Sequence, residues 1–86
     1  MNSNLLKGEI RAKAMTQENV ARSIGVSLSR FNAKLNGTGG AEFSLGEVRS
    51  IKSILDLSAE QVDHIFLNHN YLEKVNLNGT NLEGGR

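Results

Sequence analysis

Between Thr16 and Gly37 the chain concentrates side chains suited to recognising a polar surface without carrying out a reaction. Ser29, Arg30, Asn32 and Lys34 follow one another closely, with Ser27 just before and Asn36 just after. A guanidinium grips a guanine edge bidentately, a carboxamide does the same for adenine, and Ala33 or Leu28 can touch a thymine methyl. Gln17 opens the preceding segment, where its carboxamide and nearby amides can hold a phosphate, and Arg22 and Lys34 are further phosphate partners. Each of these side chains read singly is equally an ordinary solvated group; the set carries the signal. No serine, cysteine or paired-carboxylate constellation accompanies an oxyanion or metal partner, and the glycines form no phosphate loop, so no enzyme, cofactor or small-molecule ligand is expected. His64 and His69 stand five apart, on different faces of a helix, and read as surface residues with no metal role.

The elements that must hold these groups are two short helices and a turn. Thr16 is a candidate N-cap, and Val20, Ala21 and Ile24 make one apolar stripe behind it. Gly25 follows, where a left-handed C-terminal residue costs least. Val26 continues the apolar set and Ser27 offers a second cap. Leu28, Phe31 and Leu35 then recur at i, i+3 and i+7, predicting a second helix with those three inward, Ser29, Arg30, Ala33 and Lys34 opposite, and Ser27, Asn32 and Asn36 at the edges. Asn36-Gly37 ends it. Two helices joined by a glycine turn match a helix-turn-helix and also an ordinary αα-corner.

The run MTQENVARSIGVSLSRFNAKLNG resembles the helix-turn-helix of the phage repressor/Cro and xenobiotic-response-element regulators. The resemblance rests on Thr16-Gln17, Ala21, Gly25, Phe31 and Asn36-Gly37 in register, with weaker similarity from about Leu5 to Phe66. It implies a compact, all-α, five-helix repressor-like domain with the DNA-binding motif at helices 2 and 3. It also implies base contacts near Ser27, Leu28, Ser29, Asn32 and Ala33. Periodicity places Leu28 inside and the resemblance places it in the groove; a partly buried position satisfies both. The family's usual buried arginine–glutamate pair falls on Ile10 and Leu35, an exchange of both partners for apolar residues that a core can accept.

Elsewhere the pattern is helical. A first helix is expected over Leu5 to Ala14 with Leu6 and Ile10 inward, and Met15 as a staple before the Thr16 cap. The loop from Gly37 to Phe43 is flexible by composition. It is either a plain linker or a phosphate cup made by the amides of Gly37, Gly39 and Gly40 and the Thr38 hydroxyl. Ser44 and Glu47 form a capping box for a fourth helix with Leu45, Val48, Ile51, Ile54 and Leu55 inward. Ser58 and Gln61 do so for a fifth, whose stripe is Val62, Ile65 and Phe66. The domain is expected to occupy positions 1–68. Positions 69–86 are expected to form an extension, partly disordered or dimer-forming. Tyr71, Leu72, Val75 and Leu77 either prolong the last helix or make a short strand, and Gly84-Gly85-Arg86 suits a frayed end. Leu72, Val75 and Leu77 either meet a second copy or cover the domain's own core.

A net charge of +1 excludes a strongly basic nucleic-acid binder, but the charge is unevenly placed. Residues 1–37 hold six lysines and arginines against two acids, a balance of +4; the rest holds four against seven, or −3. That asymmetry suits a DNA face. The start MNSNLLKGEI has no leader pattern, no stretch approaches the roughly 20 apolar residues of a membrane span, and cysteine is absent, so a cytoplasmic protein is expected. The expected partner is double-stranded DNA, bound as a homodimer on an inverted repeat by a small Cro-like repressor. The rivals are an antitoxin-type regulator and a helical adaptor that binds protein alone.

Overall fold

The computed structural model describes residues 1–67. Five α-helices follow in order: α1 (Ser3–Ala12), α2 (Gln17–Ser23), α3 (Leu28–Asn36), α4 (Leu45–Ile54) and α5 (Ala59–Phe66), with one 3₁₀ turn at Thr38–Gly40 between α3 and α4. No strand occurs among the described residues. Every α-helix begins with a side-chain cap. The oxygens of Asn2, Thr16, Ser27, Ser44 and Ser58 each accept from the amide three residues on. Ser44–Glu47 and Ser58–Gln61 are the expected capping boxes, and Asn19 completes a third with Thr16. The first helix starts two residues before the expected Leu5, because Asn2 caps it.

Three of the four helix junctions are built alike. α1, α2 and α4 each end with a left-handed residue, respectively Ala14 (φ 58), Gly25 (φ 82) and Asp56 (φ 53). The next residue's amide reaches back five positions: Met15 to Ile10, Val26 to Ala21 and Leu57 to Lys52. This is a Schellman closure, which satisfies carbonyls that the helix end would otherwise leave open. Met15, Val26 and Leu57 pack against the core, and a Thr or Ser cap follows each directly. One apolar residue thus seals the helix behind it and staples the one ahead. Only the α3–α4 link departs from this design, using Gly37 (φ 69) and the 3₁₀ turn.

The helices enclose one core. Leu6 and Ile10 from α1, Val20 and Ala21 from α2, Phe31 and Leu35 from α3, Ile51 and Leu55 around α4, Leu57, and Ile65 from α5 are all buried. Ile10 and Leu35 are thus both core residues. Among the helices, α1 packs on α2 and α5, and α2 on α3 and α4. The Asn2 amide donates to the Ile65 carbonyl at 2.7 Å, tying the start of α1 to α5. Phe43 returns the chain to the core: its ring meets Phe31 edge-on at 5.4 Å and Phe66 at 6.1 Å. Leu45, expected to face inward, is 67% exposed, and Leu28, expected to be partly buried, is 40% exposed. Both are the first residue of their helix, at the rim of the bundle. Tyr71, Leu72, Val75, Leu77 and His69 lie outside the described residues.

Candidate nucleic-acid interface

α3 is held from beneath and open above. Phe31 and Leu35 anchor it in the core, and the Ser27 hydroxyl oxygen accepts from the Arg30 amide at 3.1 Å to fix its first turn. Gly37 closes its end in a left-handed conformation, donating its amide to the Ala33 carbonyl. The side chains left in solvent at the start of the helix are Ser27, Leu28, Ser29 and Arg30; Asn32 and Ala33 are half-buried. Four of the six residues expected to read bases are therefore exposed, and two sit lower on the flanks. In front of them, α2 brings a half-buried Gln17 and an exposed Arg22.

The charge at this surface is smaller than the sequence suggested. Lys34, expected on the outer face, turns toward α4 instead. Its ammonium donates to both oxygens of Glu47, at 2.7 and 2.8 Å, and the two side chains are only 12% and 18% exposed. Hydrogen bonds from Lys34, opposed by burial and assisted by the Ser44 amide, hold the Glu47 carboxyl below its ordinary pKa. A cation so engaged is not offered to a phosphate, and Lys34 is a support of α3 rather than part of its outer face. Arg22 also has a partner, Glu18, at 3.3 Å, but both side chains are well exposed, and such a pair yields easily. Lys13 spends its ammonium on the Leu55 carbonyl at 2.8 Å, at the far end of α4. Arg30 is the cation that stands on the open face of α3.

The phosphate cup at the glycine loop is also reduced. Of its three expected amides, Gly37 donates to Ala33 and Gly40 to the Gly37 carbonyl. Asn36 and the Thr38 side chain remain exposed beside them. Glu47 is the residue that sequence reading missed here. Its capping role was legible, but its second role depends on Lys34, which lies thirteen positions earlier across a glycine loop, where no local spacing signals the pairing.

Among the described residues no group of histidine, cysteine and acidic side chains could hold a metal, and no helix is long and apolar enough to cross a membrane. Comparison of the chain with protein-family models, with curated proteins and with solved structures gave no match. The surface must therefore be judged on its own residues.

Proposed function

We propose that the protein is a sequence-specific double-stranded DNA-binding regulator, a small repressor of the Cro type that acts as a homodimer on an inverted repeat. The observation that carries this reading is the outer face of α3. A capped helix, anchored by Phe31 and Leu35, leaves small and polar side chains uncovered on its outer face. Small residues allow close approach to a base-pair edge, and Arg30 supplies a bidentate donor for guanine. In this reading Ser27, Leu28, Ser29 and Arg30 enter the major groove, with Asn32 and Ala33 on the flanks. Gln17, Arg22, Asn36 and Thr38 meet the backbone. The register of Thr16-Gln17, Ala21, Gly25, Phe31 and Asn36-Gly37 supports the same assignment. The turn geometry alone does not, since two other junctions of this chain share it.

Few phosphate contacts fall to each protomer, which is why the proposal includes a dimer. Arg22 is the one cation among these backbone contacts, so a dimer neutralises about two phosphates and binding should weaken with a slope near −2 in log K against log salt, about −0.9 for each phosphate neutralised. Fluorescence anisotropy of a labelled duplex over a salt series measures this. A second reading, a helical adaptor that uses α3 for a protein, draws on the engaged state of Lys34 and Lys13. Duplex affinity that is absent, or that ignores salt, would favour the adaptor.

A further inference from the structure

Away from the outer face of α3, an apolar groove lies where the chain leaves α5. Met1, Phe43, Leu45, Val48, Phe66 and Leu67 line it, with the end of α3 from Leu35 to Gly37 forming one side. Three of the five exposed large apolar side chains, Met1, Leu45 and Leu67, belong to this groove. Its volume is about 720 Å³.

We propose that the groove, with Leu45 and Val48 on its wall, is the docking site for this chain's own segment 71–77. Attachment is the first argument. Leu67 lines the groove, and Tyr71 follows four residues later, so its Cα is within about 14 Å of that lip even in a fully extended chain. Composition is the second. Tyr71, Leu72, Val75 and Leu77 are the large apolar residues that follow Leu67 before the closing stretch, and they cluster nearest the point of attachment. Concentration decides between this occupant and a second copy. A short tether presents the segment at an effective concentration of order millimolar, which a separate protomer would have to exceed. The inference is independent of DNA binding.

Tyr71 makes a direct test possible, because it is the chain's single tyrosine and there is no tryptophan. Acrylamide quenching of tyrosine emission in the full chain therefore reports on this segment alone. Leu45→Lys is the matching variant, at a position already two-thirds exposed, so folding is preserved and far-UV circular dichroism checks that. Docking in cis predicts quenching several-fold weaker than for a free tyrosine amide, unchanged on dilution, and restored by Leu45→Lys. It also predicts nuclear Overhauser contacts from the Tyr71 ring to the Leu45 and Val48 methyls. Tyr71 quenched as freely as the amide in the wild type would overturn the proposal. So would protection indifferent to Leu45→Lys, which places the segment elsewhere. Protection that disappears on dilution would assign the groove to a second copy.

Discussion

Replacing Glu47 by alanine should destabilise the domain more than any other exposed-edge substitution, because one carboxylate serves two structures. It closes the capping box of α4 by accepting from the Ser44 amide at 2.9 Å, and it holds both Lys34 contacts. Loss of an N-terminal cap interaction costs about 1 kcal/mol. Leaving the Lys34 ammonium, 12% exposed, without its counter-ion adds about 1–2 kcal/mol. The total of about 2–3 kcal/mol corresponds to a fall of roughly 8–24 °C in Tm for a domain of this size. Glu47→Gln separates the parts, since glutamine can keep the cap and loses only the charge; about 1–2 kcal/mol is expected. Urea unfolding followed by circular dichroism gives these values, and a Lys34→Met/Glu47→Gln double-mutant cycle gives the coupling. The pH dependence has a definite sign. The folded-state pKa of Glu47 is lowered, so its stabilisation is complete above the ordinary glutamate value and is lost as pH falls through the depressed one. Wild type should therefore lose stability on acidification more steeply than Glu47→Gln. A coupling energy below about 0.3 kcal/mol, or parallel acid profiles, would refute the clamp, since such values are those of exposed pairs.

Two further substitutions probe the frame that carries α3. Ala14→Gly should raise stability by about 0.5–1 kcal/mol, because Ala14 has a φ of 58° and only glycine adopts that region freely; thermal melting reads the shift. Phe43→Ala should cost about 3 kcal/mol, since it removes both edge-on ring contacts and leaves a void between Phe31 and Phe66. Partial unfolding at 25 °C by circular dichroism is the expected outcome.

Much of this architecture was legible because each helix announces its own start. Thr16, Ser27, Ser44 and Ser58 were readable as caps, and the inward positions Leu6, Ile10, Val20, Ala21, Phe31, Ile51 and Ile65 followed from a 3.6-residue period. Asn2 escaped notice because it lies before the first apolar residue of its helix, and Asn19 because the capping-box pattern expects glutamate or glutamine. Periodicity failed at Leu28 and Leu45. Each occupies a helix's first position, where an angular match does not ensure that anything lies opposite. Only Gly25 among the three similar junctions signalled a left-handed residue; Ala14 and Asp56 adopt it because the apolar residue that follows is drawn into the core. At the candidate interface, spacing alone placed Ser29 and Arg30 on the free face and Ser27 at its edge. Lys34 was misplaced because ion pairing between helices leaves no trace in local sequence.

DNA recognition by α3 is tested most directly by selecting bound duplexes from a pool of genomic fragments, with wild type and Ser29→Glu/Arg30→Ala compared. Both positions are exposed, so the variant should fold like the wild type. Enrichment of a short inverted repeat by the wild type alone, with half-sites about one helical turn apart, is the expected result. Equal recovery by the two proteins, or no enrichment by a wild type shown to be folded, would contradict recognition through this helix.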